Sequence, residues 1–303
     1  MKTRLFLSLV TVVMLGLPLN AQNQQPQEVL TFTRIDRNPR TSALAGAGAA
    51  SVSSVAYASF VNAAAVPFYE EKADFGLGYQ HWTPTLGAAS AFHLGGAYNF
   101  GQVGVTLGGL FVTEQPDNEG FRPSKLQVNL GAGVRITDWL SAGVNARLAR
   151  EGLFQGYAIT GFNADVLLMA RPVEGLGLTA GIANIGNAIK DSFGTAFPQP
   201  ASVKLAAAYS LTFAGDNTVE VMADGDYYLF SRGYGVSAGL EYSFRQLLFL
   251  RVGYRKASDN SPFPTHLGLG AGLQIAGIRV EFAWLTASQI LGKSFSVGLG
   301  YRF

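Results

Sequence analysis

The chain has 303 residues, no cysteine and a formal net charge of +2. That removes disulfides, thiolate chemistry, cysteine metal sites and a lipidated cysteine, and it gives no electrostatic argument for nucleic acid or another strongly anionic partner. Hydrophobic residues make up 48% and charged ones only 14%, against about 25% charged in an ordinary soluble domain.

After residue 20 no apolar run is long enough for a helix to cross roughly 30 Å of hydrocarbon. Glycine is abundant, at 37 residues, where ordinary usage of about 7% gives roughly 21. A membrane β-barrel reconciles these facts. Lipid is the solvent of its outer face, and every backbone group pairs with a neighbouring strand.

The chain opens with Lys2 and Arg4, then an apolar stretch from Leu5 to Leu17. With an exit at Asn20-Ala21 and Gln22 as the first mature residue, this reads as an export signal, residues 1–21. A short membrane anchor is the competing reading. The stretch is too short to span, and Gln22, Asn23, Gln24 and Gln25 follow at once. Gln22 to Gln27 reads as a periplasmic arm, and residues 22–72 as arm plus hatch ahead of a barrel over 73–303.

Between Arg40 and Ala65 the side chains are mostly small, and none beyond Arg40 is charged. Such a segment can lie closely against lumen side chains, and a wide barrel otherwise tends to enclose a cavity or channel. A hatch is expected here, marked by Arg40, Gly46, Gly48 and Asn62; a flexible periplasmic arm is the alternative. Arg40 and the run Ala43-Leu44-Ala45-Gly46-Ala47-Gly48-Ala49, followed by Asn62-Ala63-Ala64, resemble the N-terminal region of FadL-like barrels. Among these the chain looks similar to the PorV/PorQ branch of Bacteroidota. It departs at Ala63, where that family usually has Pro, and at Ala65, where Gly is common. The resemblance implies a fourteen-stranded barrel with a periplasmic N-terminus and a hatch in the lumen.

From Ala73 onward, segments of about ten residues alternate between apolar and small or polar, then turn, which is the period of a strand. Fourteen such segments can be placed: 73–82, 87–100, 101–115, 124–137, 140–150, 161–172, 175–186, 201–212, 217–229, 233–244, 247–256, 265–276, 278–288 and 293–303. In 124–137, Leu126, Val128, Leu130, Ala132, Val134 and Ile136 share one face, and Gln127, Asn129, Gly131, Gly133 and Arg135 the other. Connections after even-numbered segments are tight, and those from Gln115 to Ser124, Arg150 to Gly161, Gly186 to Ala201 and Lys256 to Thr265 are long. Outer-membrane barrels have short periplasmic turns and longer external loops, so this alternation puts both chain ends on the periplasmic side.

In the last segment Phe295, Val297, Leu299, Tyr301 and Phe303 alternate with Ser294, Ser296, Gly298, Gly300 and Arg302. A terminal alternating strand with an aromatic last residue resembles the signal read by bacterial barrel-insertion machinery. Phe303 is therefore the expected contact with that machinery, and outer-membrane lipid the expected solvent.

Parity places Arg135, Arg147, Asp165, Lys204, Glu220, Asp224, Asp226, Glu241, Arg251, Arg255 and Glu281 on the lumen face, where each must be paired or hydrated. Arg147 is expected to meet Asp165, Lys204 to meet Glu220 or Asp224, and Glu241 to meet Arg251. The mixed signs fit a network bracing the wall; a polar translocation path or ligand site is the alternative. Near the external end Phe121, Phe193, Phe197, Phe230, Phe263, Ile290 and Leu291, with Leu229, form a candidate binding surface. A hydrophobic ligand, a docked protein or an aromatic belt at the lipid interface would each account for it.

His81, His93 and His266 are spread over three segments and belong to no catalytic motif, so no enzyme, cofactor or metal is expected. Gly268-Leu269-Gly270 and Gly298-Leu299-Gly300 sit inside strands, not at a dinucleotide turn. Two functions remain. The PorV/PorQ resemblance implies a protein of the type IX secretion pathway, binding or shuttling secreted cargo at the cell surface. The FadL resemblance implies a transporter that takes hydrophobic small molecules through the barrel wall. The short chain leaves little loop for elaborate docking.

Overall fold

The computed structural model describes residues 27–303 except 35–37, 84–87, 192, 215, 287, 289, 290 and 292. The expected export signal (1–21), the start of the arm (22–26) and Ile290 lie outside the described residues.

Fourteen antiparallel strands close into one barrel. In chain order they are β1 (Ala73–Trp82), β2 (Ala89–Asn99), β3 (Val103–Glu114), β4 (Ser124–Thr137), β5 (Leu140–Phe154), β6 (Tyr157–Ala170), β7 (Leu176–Gly186), β10 (Ser202–Phe213), β11 (Asn217–Tyr228), β12 (Tyr234–Phe244), β13 (Leu248–Ala257), β14 (His266–Ile275), β15 (Ile278–Thr286) and β16 (Ser294–Arg302). Two short strands, β8 (Ile189–Lys190) and β9 (Ala196–Phe197), pair with each other in the connection from β7 to β10. The ring closes where β1 meets β16, from Asp74 opposite Arg302 to His81 opposite Phe295.

The strands are inside-out relative to a water-soluble sheet. In β4, Leu126, Val128 and Leu130 are 47%, 44% and 63% exposed, whereas Gln127 and Asn129 between them are fully buried. An apolar row facing water would cost about 25 cal/mol per Å² of exposed surface; facing hydrocarbon it costs nothing. Closure leaves no unpaired edge, which lipid could not tolerate.

One end of the barrel carries tight turns and the other carries longer loops. At the turn end, Ala276 (φ 51°) and Gly277 (φ 81°) join β14 to β15. Positive φ at both central residues is what a two-residue hairpin needs to match the strand twist.

Two expectations fail. The long connection from Arg150 to Gly161 is a tall hairpin instead: β5 and β6 run on to Phe154 and Tyr157, whose rings stack at 4.8 Å. Glu151, placed in that connection, points inward and pairs with Lys125 at 3.3 Å. The second concerns the segment ahead of the hatch. Phe303 lies at the turn end, its carbonyl accepting from Lys72 and Ala73 N–H. Residues 27–34, of which Gln27 was expected in a periplasmic arm, lie at the loop end, where Val29 N–H donates to the Pro198 carbonyl at 3.1 Å. The reason is composition: Val29, Leu30 and Phe32 are apolar and find burial in the mouth of the barrel.

Residues 38–69 then run through the lumen, nearly all buried. Wall glycines make the space. A Cβ on Gly253 would sit 2.1 Å from the Leu44 carbonyl carbon, and one on Gly143 would sit 2.2 Å from the Ala64 nitrogen.

Candidate functional site

The lumen segment is fixed to the wall from short local elements. Asn38 caps a one-turn helix, Pro39–Ala43, by accepting from Thr41 N–H at 2.9 Å, with Pro39 at its first position; both are favoured there. That turn aims Arg40 at the wall. Its guanidinium lies 2.9 Å from Glu220 and 2.9 Å from Glu241, and donates to Ser51 Oγ at 3.0 Å.

The ionic contacts continue around the ring. Arg251 bridges Glu241 and Glu281, the latter at 2.8 Å, and Arg279 bridges Glu281 at 3.3 Å and Asp74 at 3.1 Å. The other oxygen of Asp74 accepts from Ser54 Oγ and from the N–H groups of Val55 and Ala56. The chain of contacts thus leaves the segment at Arg40 and returns to it at residues 54–56. Four carboxylates face three guanidiniums, and backbone N–H groups supply the remaining donors. A buried ion without such partners costs several kcal/mol.

Asp224 makes a second attachment, accepting from Gly48 N–H at 2.8 Å and Ala49 N–H at 3.0 Å. Gly48 holds φ at +125° and Gly46 at +89°, the left-handed region in which glycine is unstrained. Asn62 ties two passes of the segment together: its Oδ1 accepts from Ala64 N–H, and its Nδ2 donates to the Ala49 carbonyl at 2.8 Å and to Thr179 at 3.1 Å. On the opposite wall Asn129, Asn145 and Ser141 donate to the carbonyls of Ser59, Ala58 and Ala64. Arg135 donates to the Pro67 carbonyl and lies over the Phe68 ring.

All eleven lumen charges named from sequence face inward, but one pairing differs. Lys204 meets Asp226 at 2.8 Å, not Glu220 or Asp224. Register decides this, because Lys204 stands directly opposite Asp226, while Asp224 faces Ala206 and Glu220 faces Ser210. Arg255 joins Asp226 at 3.6 Å. Arg147 pairs with Asp165 at 2.8 Å, and Asp165 also accepts from Asn184 N–H at 2.7 Å, where β7 bulges against β6. The sequence reading missed Asp74 and Arg279. Arg279 shares the inward parity of Glu281, so the signal was present; Asp74 is the second residue of β1.

At the loop end, Leu30 and Phe32 are buried among Trp82, Leu110, Val112, Ile159, Leu285 and Leu291. Arg34 closes this plug, 4.0 Å over the Tyr228 ring and bonded to the Pro200 carbonyl at 2.8 Å. Phe263 and Leu291, expected as exposed surface, belong to this buried cluster; Phe263 packs edge-on to His266 at 5.1 Å. Their loops fold inward over Phe32. Phe193 is the opposite case, 92% exposed at the tip between β8 and β9. Phe230 is exposed, and Phe121 and Phe197 are half-buried.

Three cavities flank the segment. A vestibule of about 540 Å³ lies at the turn end, reaching Glu174, Gly175 and Gln246. One of about 90 Å³ lies toward the loop end beside Lys204, Asp226 and Arg255. One of about 30 Å³ sits within the segment itself.

No protein-family model and no curated protein matches the sequence. Solved structures do match in fold. A crystal structure of the Pseudomonas putida toluene transporter TodX superposes with a TM-score of 0.61 at 13% identity, covering 91% of this chain and 98% of that one. A deletion mutant described as the TodX monoaromatic hydrocarbon channel gives 0.66 at 12% identity, over 88% and 98% of the two chains. A Pseudomonas aeruginosa FadL homologue gives 0.59 at 11% identity, over 88% and 98%. At such identities the likeness is one of fold: this chain shares the closed-barrel fold of these structures.

Proposed function

We propose that this protein resides in the outer membrane, with its turn end toward the periplasm, and passes small hydrophobic molecules through the barrel. The observation that carries this reading is the buried apolar cluster under the loop end, in which Leu30 and Phe32 sit with Trp82, Leu110, Val112 and Ile159. An apolar passenger that displaced Leu30 and Phe32 would gain by leaving water for these side chains. Residues 38–69 act as the hatch below them. The TodX structures, titled as a toluene transporter and a monoaromatic hydrocarbon channel, lend the same direction by analogy of fold. The test is uptake of labelled toluene and of a labelled long-chain fatty acid by cells producing the protein. Saturable uptake of either compound above vector cells is expected; uptake of both no higher than in vector cells would refute the reading.

A PorV/PorQ-like role in type IX secretion is the second reading. The observation in its favour is Phe193, which projects from the loop end as an aromatic with nothing packed on it. Recovery of secretion-pathway proteins with the native protein, and loss of that recovery with Phe193→Ser, would support it. Phe303, stacked on Phe75 at 6.4 Å, is proposed as the residue that the barrel-insertion machinery reads.

A further inference from the structure

The three cavities are separated by very little protein. Gly46 lines the 90 Å³ cavity, Gly48 and Ala49 line the 30 Å³ one, and Ala50 lines the 540 Å³ vestibule. One five-residue stretch of backbone is thus shared by all three. The wall behind it is polar at both ends, with Met222, Ala206 and Ala208 between them. Along β11, Asp226 and Asp224 border the loop-side cavity and Glu220 borders the vestibule. The six residue steps from Glu220 to Asp226 cover roughly 20 Å along the strand. The middle cavity exceeds the ~10–15 Å³ that one water needs.

The stretch is attached by side-chain hydrogen bonds, not by sheet pairing. Asp224 holds the N–H groups of Gly48 and Ala49, Thr179 and Asn62 hold the Ala49 carbonyl, and Ser237 donates to the Ala45 carbonyl at 2.7 Å. Wall glycines abut the stretch at Ala47 (Gly239) and Ala50 (Gly177), so Gly48 and Ala49, held by Asp224, are where a small displacement would connect the cavities.

From this arrangement we propose a second, hydrophilic route through the barrel. Small inorganic ions, with their water, pass along the β10–β11 side of the lumen, Gly46–Ala50 is the gate, and Asp224 is the latch. This goes beyond hydrocarbon transport, and it needs no movement of the Leu30 and Phe32 plug. Its mixed-sign lining makes it weakly selective between cations and anions.

The experiment is single-channel recording of the full-length protein in planar lipid bilayers in potassium chloride, without any hydrocarbon. The native protein should show rare openings. Asp224→Ala should raise open probability about tenfold or more, since two hydrogen bonds to a charged acceptor are lost. Thr179→Ala, which leaves Asp224 in place, should raise it less; it keeps the test decisive if Asp224→Ala does not form a heat-resistant barrel on gels. Because the native chain has no cysteine, Ser53→Cys places a single thiol at the vestibule, and a charged thiol reagent should block the current. Silent channels in folded Asp224→Ala and Thr179→Ala, or currents indifferent to modification at residue 53, would overturn the proposal. Either result leaves hydrocarbon uptake untouched, so the two readings fail separately.

Discussion

Arg40 and Glu241, 201 residues apart in sequence, meet at 2.9 Å inside the barrel, and Glu241 is shared with Arg251 from the neighbouring strand. Removing Arg40 leaves Glu220 with only Ser53 Oγ, and Glu241 with one guanidinium. Breaking a buried pair by deleting one partner costs about 3–5 kcal/mol. Arg40→Ala should therefore lower the guanidinium unfolding midpoint in detergent and expose residues 40–65 to protease while the barrel persists. A loss below about 1 kcal/mol, the level of a surface pair, would mean that the network does not hold the segment.

Leu130, in the middle of β4, is the test of what surrounds the barrel. Leu130→Arg should destabilise the protein in vesicles by about 2–4 kcal/mol, the cost of a cation on the lipid face near the bilayer midplane. A change within ~0.5 kcal/mol, as for an ordinary water-facing position, would contradict a lipid-facing wall.

Phe32→Ala tests the loop-end cluster. Truncating a buried Phe typically costs about 3–5 kcal/mol where the space cannot collapse, and here the space opens within the cluster that holds Trp82. The variant should bind toluene more tightly than the native protein, read as a larger tryptophan fluorescence change at lower toluene concentration. Weaker binding would mean that the Phe32 ring is part of the ligand contact and not its competitor.

Glu28 makes the docking of residues 27–34 sensitive to pH. Burial raises its carboxyl above the usual range, and Arg34, 3.4 Å away, offsets this only in part. A raised value in the docked state means that this state binds the proton more tightly. Docking is then favoured below the ordinary carboxylate pKa of about 4.3 and loses that contribution as pH rises through the raised value. The hydrogen-exchange protection of Val29 N–H, which bonds to Pro198, should increase as pH falls from neutrality toward 5. Protection that falls instead would show that the Arg34 pairing dominates.

The wall of the barrel was legible because period two is a local property: β4 and β16 can be read residue by residue, and with them the inward side of the eleven charges named from sequence. What was not legible depends on register and on three-dimensional closure. Lys204 faces Asp226 because β10 and β11 pair in the register that sets Phe213 opposite Asn217, which no alternation reveals. Asp74 and Arg279 meet because β1 and β15 both flank β16, a neighbourhood created only by closing the ring. The connection from Arg150 to Gly161 was placed too long because the alternation was ended at Arg150, whereas β5 runs on through inward-facing Glu151 to Phe154. The mouth of the barrel was misjudged for a related reason. Phe263 and Leu291 are apolar loop residues, and sequence cannot tell a displayed side chain from one folded down onto Phe32.

The salt bridge between Asp74 and Arg279 also constrains the order of assembly. Asp74 stands on the first strand and Arg279 on the penultimate one, and the same carboxylate grips Val55 and Ala56. Drawing the two edges together and seating residues 54–56 are therefore one event. The interior must be lodged before the final strand seals the ring, since afterwards a thirty-residue stretch bonded to walls on all sides would have to be threaded through a finished cylinder.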